Sequence, residues 1–266
     1  MKIILTIIIF KFMKNKKRGK FIVIEGTDGS GKSVQTGLLR DFLAKEGYKI
    51  AKNDNIKSNQ ISLLEDYFEN KGFDVKTDDY PRYETSVWGK LVGKMLTGEF
   101  GDPLTISPYL TVLPYMIDEY WGSQNIKKWV DAGKVVISNR YFTSNVHQVA
   151  KLKGEDQTKY RDWLWKTGWK EMKIYKPDLV IVLLVEPEVS MELVKKKNER
   201  NYVGGKGADL MEKSKEHQQA AYDEYLRMIE TDKTWVPVKC CRDGKLISIE
   251  EINKLVLDEI IKINLL

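Results

Sequence analysis

Cysteine is nearly absent from this chain: Cys240 and Cys241 are the only two, and they are neighbours. Adjacent thiols cannot tie distant segments together, so a disulfide-built scaffold is excluded and a reducing, cytoplasmic compartment is expected. Histidine is as scarce, and neither His147 nor His217 is read as a functional residue. Long apolar runs are missing too. Ile3–Phe10, broken by Thr6, is far short of the roughly 20 residues that a spanning helix needs, so no membrane is expected. Lys2 precedes that run as in a signal peptide, but a cationic cluster follows it and no small-x-small cleavage site does. The formal charge of +6 is also misleading, because seven cations and no acid fall within residues 1–20. The remainder is close to neutral, which removes the charge argument for a nucleic-acid binder. Residues 1–17 are expected to lie outside the fold as a tail, with residues 1–12 dispensable and Met13 a candidate initiator.

What remains is ordinary globular material: 266 residues, 42% apolar and 31% charged, enough for one large domain or two small ones. Short β-branched runs alternate with amphipathic stretches. Strands are expected at Phe21–Glu25, Phe73–Lys76, Lys134–Ser138, Asp178–Val185 and Trp235–Cys240. Helices are expected over about 34–46, 86–97, 107–130, 156–173, 187–197, 209–230 and 248–262, with Pro108 and Pro114 starting or kinking the third. Such alternation implies an α/β domain on a parallel sheet. Leu179–Val185 is apolar at every position, as expected of a strand covered on both faces. Trp163, Trp165 and Trp169 read as packing residues of one helix.

One segment is repeated. Lys32-Ser-Val-Gln-Thr-Gly-Leu-Leu-Arg-Asp, followed by Gly47, returns as Lys57-Ser-Asn-Gln-Ile-Ser-Leu-Leu-Glu-Asp, followed by Gly72. A local tandem duplication of a helix and its following strand would place an insert at 52–75; chance likeness of two amphipathic helices is the other explanation. The second copy has Asp54, Asn55 and Ile56 where the first has Gly29, Ser30 and Gly31, so it cannot form the same turn.

Chemistry concentrates in Gly26-Thr27-Asp28-Gly29-Ser30-Gly31-Lys32-Ser33, which fits G-x-x-x-x-G-K-[ST] between an expected strand and an expected helix. Glycines let successive N–H groups curl around phosphate oxygens, and the helix N-terminus adds a favourable dipole. Lys32 would reach the β/γ-phosphates and Ser33 would ligate Mg2+. The loop alone does not separate motor ATPases, switch GTPases and small-molecule kinases, although no N-K-x-D run supports the GTPase option.

The wider set of motifs resembles the thymidylate kinase family of P-loop nucleoside monophosphate kinases. The likeness runs through Phe21–Gln35, Asp79-Tyr-Pro-Arg-Tyr-Glu84, Val135–Asn145, Lys176–Pro187, Asp209-Leu-Met-Glu212 and Asp243–Ile252, in order. It implies one P-loop NTPase domain over 18–266: a three-layer α/β fold with about five parallel strands, helices on both faces and a mobile lid at 197–207. It also implies ATP- and Mg2+-dependent phosphorylation of a deoxynucleoside monophosphate, dTMP to dTDP in the family, by a homodimer. Asp28 would contact the acceptor sugar or organise Mg2+ and its waters. Arg82, with Tyr83 beside it, and Arg140 would hold the acceptor 5′-phosphate, which suits the planar guanidinium fork. Tyr115 would stack on the base. Ser144, Asn145 and Gln148 would read sugar and base, and Asp209 and Glu212 would lie near sugar and metal. Some relatives carry an arginine inside the phosphate loop; with Gly29 and Ser30 there, the transfer cation would come from the lid, with Arg200 ahead of Lys197 and Lys206.

Three departures stand out. Asn139-Arg140 replaces the family's Asp-Arg, removing a carboxylate from the metal side and implying weaker Mg2+ affinity. Glu119 falls where an arginine donates to thymine O4, and an ionised carboxylate only accepts hydrogen bonds. Ser144–Gln148 is one residue shorter than in many relatives. A related kinase with a different base preference, a catalytically impaired nucleotide-binding protein, and a membrane-tethered signalling protein are the competing readings.

Overall fold

Parity sorts the strands into layers. In β1 (Lys20–Glu25), Phe21 and Val23 enter one core while Ile22 and Ile24 enter another, because successive strand side chains point to opposite faces. The split recurs in β3 (Val135–Asn139) and in β4 (Leu179–Leu184). There Val136, Val180 and Val182 join Phe21, and Ile137, Ile181 and Leu183 join Ile22. Each fully buried aliphatic side chain contributes about 1.5–3 kcal/mol, so double-sided burial defines these strands. With β2 (Val75–Asp79) and β5 (Trp235–Lys239) they form a five-stranded sheet, parallel throughout, in the order β2-β3-β1-β4-β5. The computed structural model describes residues 18–51, 72–195 and 214–265.

The helices are α1 (Lys32–Lys45), α2 (Val87–Leu96), α3 (Pro108–Asp131), α4 (Val146–Val149), α5 (Gly154–Lys166), α6 (Pro187–Lys195), α7 (Lys215–Thr231) and α8 (Ile249–Leu265). Leu39 and Leu43 of α1 and Ile252 and Val256 of α8 cover one face of the sheet. Val112, Met116 and Ile126 of α3, Tyr160 and Leu164 of α5, and Tyr225 of α7 cover the other. Three layers result, as expected. Among the described residues, no helix is long and apolar enough to cross a membrane.

Three local differences have identifiable causes. β2 lies two to three residues later than Phe73–Lys76, because Val75–Asp79 pair one-for-one with Val135–Asn139. Backbone ladders do not depend on side-chain polarity, so Thr77, Asp78 and Asp79 stay in the strand. Phe73 packs edge-on against Trp129 at 5.8 Å, and the buried Lys76 sets its ammonium 5.5 Å from the same ring, a cation–π contact. The helix expected at 156–173 starts at Gly154 and gives way to a π turn at Thr167–Glu171. There Gly168 lies so close to Phe142 that a Cβ would sit 2.0 Å from its ring. Trp165 and Trp169 flank that ring, and Trp163 packs on Tyr109 and Tyr160. Pro108 opens α3, while Pro114 lies inside it without ending it.

The repeat leaves a structural trace. Ile50 forms an isolated parallel bridge to Val75, with Ala51 N donating to Val75 O (2.7 Å) and Asp74 N to Lys49 O (2.7 Å). Ile50 and Val75 occupy equivalent positions of the two copies, so the equivalent strands lie side by side in register. The tail 1–17, most of the 52–75 insert and the 197–207 lid lie outside the described residues.

Candidate active site

The carboxyl ends of β1 and β3 meet where the strand order turns around, the place where open α/β sheets bind ligands. Beyond Glu25 the chain curls tightly into α1. Gly29 has φ +84°, and a Cβ there would lie 2.6 Å from Ser190 O. Gly31, at φ +86°, precedes the first helical residue; both positions need glycine's tolerance of the left-handed region. Ser30 N donates to Thr27 O at 3.2 Å. Lys32 is buried, with Nζ donating to Gly26 O (3.1 Å), Thr27 O (2.8 Å) and Ser30 Oγ (3.4 Å). No acid occupies the first turn of α1, so its positive dipole end faces the curl undiminished.

Arg140 leaves β3 beside this loop. Its backbone is left-handed (φ +62°) and is held by Arg140 N donating to Ile24 O (3.1 Å) and Ser138 Oγ donating to Arg140 O (2.5 Å). Its guanidinium pairs with Asp28 and reaches Ser144 Oγ at 3.3 Å. Gln218 Nε2 donates to the other Asp28 oxygen (3.3 Å), and Ser190 Oγ donates to Asp28 O. Burial works against the charge of Arg140, but Asp28, Tyr225, Glu25 and Tyr83 outweigh it and raise its pKa above the ordinary value. His147 Nε2 lies 3.5 Å from Arg140 Nη1, and its ring is 5.7 Å from that of His217. Burial, then Arg140, pushes His147 well below the usual imidazole value, and burial lowers His217 to about 4. Both rings are therefore neutral at pH 7.

Beneath the pair lies Glu25, fully buried. It accepts from Thr143 Oγ1 (2.6 Å), Ser144 Oγ (2.7 and 2.9 Å) and Tyr225 OH (2.8 Å). Ser144 thus joins Arg140 to a carboxylate that sequence reading had treated as the end of a strand. Arg82 is held by α3: its N and Nε donate to Asp118 carboxylate oxygens (2.9 and 3.1 Å) and its Nη2 to Asp118 O (2.9 Å). Tyr83 and Tyr115 pack together against Val92 and Leu96 of α2. Gln148 Oε1 accepts from Thr111 Oγ1 at 2.6 Å. Arg200, Asp209 and Glu212 lie outside the described residues.

Asn145 Nδ2 donates to both Glu119 oxygens (3.3 and 3.1 Å). Glu119 is buried, and burial first, then Asp118 and Glu25, raises its pKa well above the carboxylate range while Asn145 opposes the shift. Burial thus disfavours the ionised form of Glu119 in the folded chain, and its protonated form carries a donor as well as an acceptor. Stability follows. The unfolded chain ionises near the ordinary value of about 4, so the wild-type protein loses stability as pH rises past that point, until the folded group ionises too. Glu119→Gln is expected to leave the melting temperature unchanged at pH 4 and to raise it at pH 8. Melting curves across this range check it; equal shifts at both ends would tell against the buried acid.

Oxygen donors suited to Mg2+ gather on the β2–β3 side of the loop. Ser33 Oγ accepts from Asn139 Nδ2 (3.1 Å), which also donates to Asp79 Oδ1 (2.6 Å). Asn139 Oδ1 is buried and, among the described residues, has no hydrogen-bond partner. These hard oxygens fit Mg2+, whereas Asp28, the other sequence candidate, is engaged with Arg140 and Gln218.

The geometry joins a phosphate-type loop to a guanidinium on the next strand. A family model described as thymidylate kinase matches residues 56–244, more than two thirds of the chain. The chain belongs to the thymidylate kinase family. It is a phosphotransferase of that family. The model match begins downstream of the Gly26–Ser33 loop, but pairwise likeness takes the loop in. The thymidylate kinase of Plasmodium falciparum (isolate 3D7) is 27% identical over 249 residues, 94% of this chain and 93% of its own length. That of Mycobacterium tuberculosis (strain ATCC 25618 / H37Rv) is 28% identical over 208 residues, 78% and 84% of the two chains. The solved thymidylate kinase of Candida albicans superposes with a TM-score of 0.63 at 24% identity, over 93% of this chain and 92% of that one, which supports the fold. Within this thymidylate kinase family site, sequence reading missed Glu25, Asp79, Asp118, His147, Ser190 and Gln218. Glu25 closes an apolar run and Asp79 opens the Asp79–Glu84 motif, the two local signals that could have found them.

Proposed function

We propose that this protein transfers the γ-phosphoryl group of ATP, with Mg2+, to dTMP, yielding dTDP and ADP for dTTP synthesis. One observation carries the reading: the Lys32 loop and the Arg140 guanidinium stand side by side, linked through Asp28. Phosphoryl transfer needs this more than covalent help, since it depends on aligning two phosphates and neutralising their charge. The loop, from Gly26 to Ser33, binds the donor phosphates. Arg140 and Arg82 bind the acceptor phosphate, and Arg82 is presented by its bonds to Asp118. Tyr83 and Tyr115, packed against Val92 and Leu96, serve the base and sugar, as do Ser144, Asn145 and Gln148. The reading assigns the further cation to Arg200 and contact with the acceptor sugar to Asp209 and Glu212.

Base choice centres on Glu119. In its protonated form it would offer a donor and an acceptor together, which can meet O4 and N3–H of thymine. Either oxygen can carry the proton, so the same group also meets N4–H2 and N3 of cytosine, and the carboxyl alone does not separate dTMP from dCMP. The same residue read as an anion would favour an exocyclic amine, so the acceptor panel is decisive. With ATP and Mg2+, dTMP is expected to be phosphorylated with the highest kcat/KM, ahead of dUMP, dCMP and dAMP. Transfer to none of them, with ATP binding retained, would make this a nucleotide-binding protein without the activity.

We also propose a homodimer and a cytoplasmic setting. Leu110, Leu113 and Trp121 are exposed along one stripe of α3, at helical spacing that suits pairing with a second copy.

A further inference from the structure

The family pattern places a carboxylate at the carboxyl end of β3 on the metal side of the phosphate loop, and this chain has Asn139 there. The neighbouring strand supplies what is missing. Asp79 is the last residue of β2 and pairs in register with Asn139. Its Oδ1 accepts a 2.6 Å bond from Asn139 Nδ2, and the same amide donates to Ser33 Oγ at 3.1 Å. Both contacts use the amide nitrogen, so the amide oxygen is turned inward, where it is buried and, among the described residues, unpartnered. Asp79 and Ser33 are exposed at the mouth of the site. The negative charge has thus moved sideways by one strand and stays connected to the metal-ligating hydroxyl through one amide.

We propose that Asp79 is a positioning residue for the divalent cation: acting through Asn139, it supplies the charge on the metal side of Ser33 that position 139 lacks. The proposal rests on the reading of the Gly26–Ser33 loop as a Mg-nucleotide site. Outer-shell partners of metal ligands orient them and set the local charge, and losing one costs roughly 10–100-fold in metal affinity. The weaker Mg2+ affinity expected from Asn139 alone is accordingly replaced by an ordinary one.

The test is a charge transposition on the full chain with ADP bound. Mn2+ affinity of the ADP complex is measured by electron paramagnetic resonance for wild type, Asp79→Asn, Asn139→Asp and the double variant. Metal-free ADP affinity is measured by calorimetry on the same four proteins. Asp79→Asn is expected to weaken Mn2+ binding by about tenfold and to leave metal-free ADP binding unchanged. The double variant, which returns the carboxylate to β3, is expected to recover most of that loss. Unchanged Mn2+ affinity in Asp79→Asn, no recovery in the double variant, or an equal loss of metal-free ADP binding would each overturn the proposal. Failure of the wild-type protein to bind ADP at all would instead sink the nucleotide-site reading beneath it.

Discussion

Lys32→Met is expected to lower kcat by about two to three orders of magnitude, the cost typical of removing one preorganised charge-stabilising donor. Methionine keeps the length of the stem and its packing, so the change isolates the ammonium. In this structure Nζ rests on Gly26 O, Thr27 O and Ser30 Oγ, an arrangement that holds the lysine over the curl it must serve. Losing those bonds leaves carbonyls of the loop with one partner fewer, which costs about 1–3 kcal/mol of stability. The expected barrier change is roughly 3–4 kcal/mol for 10²–10³-fold, so stability and rate have to be read separately. Steady-state kinetics with saturating ATP and acceptor, paired with thermal melts, separate the two. A kcat within tenfold of wild type would show that Lys32 braces the loop and takes no part in transfer.

The layers of this fold were legible because double-sided burial leaves a local imprint: Leu179–Leu184 is apolar throughout, as a strand covered on both faces is. Strand order was not legible. Adjacency of β1 to both β3 and β4 depends on crossovers of many residues, and no short window carries that information. The drift of β2 has the same origin. Phe73 looked like strand and Asp79 like loop, yet pairing with Val135–Asn139 decided the matter from a distance.

The site divides along a similar line. Gly26–Ser33 was readable because its function lives in consecutive backbone groups, and consecutive residues are what sequence displays. Glu25, by contrast, gains its meaning from Thr143, Ser144 and Tyr225, which lie 118 to 200 residues away. Glu119 is hard to judge for a related reason. Its charge state is a property of burial beside Asp118 and Glu25, and a sequence prints only the letter. The neighbours of His147 and His217 are equally invisible in sequence: burial lowers the pKa of both rings beside Asp28, and Arg140 adds to the effect at His147.

Arg140 joins stability and function most tightly, and substitution can part them. In Arg140→Ala, the carboxylate of Asp28, only 13% exposed, loses its cationic partner, and Ser144 loses a donor. Breaking a buried pair by removing one member costs about 3–5 kcal/mol; residual solvent at Asp28 brings the expectation to the lower end. Arg140→Lys should behave differently. Its ammonium can still neutralise Asp28, so the melting temperature stays near wild type, but a point charge cannot grip a phosphate through two parallel N–H bonds. The acceptor kcat/KM is therefore expected to fall by about a hundredfold, roughly 2.7 kcal/mol, with KM for ATP little changed. Asp28→Asn adds the last control. If Arg140 acts mainly through its own contact with the acceptor, the losses from Arg140→Lys and Asp28→Asn will be close to additive in kcat/KM. If Asp28 only aims the guanidinium, the double variant will be no worse than Arg140→Lys alone, because a misaimed fork and an absent fork cost the same. Full activity in Arg140→Lys would remove the phosphate-gripping role altogether and leave Arg140 as the cation that keeps Asp28 folded into the loop.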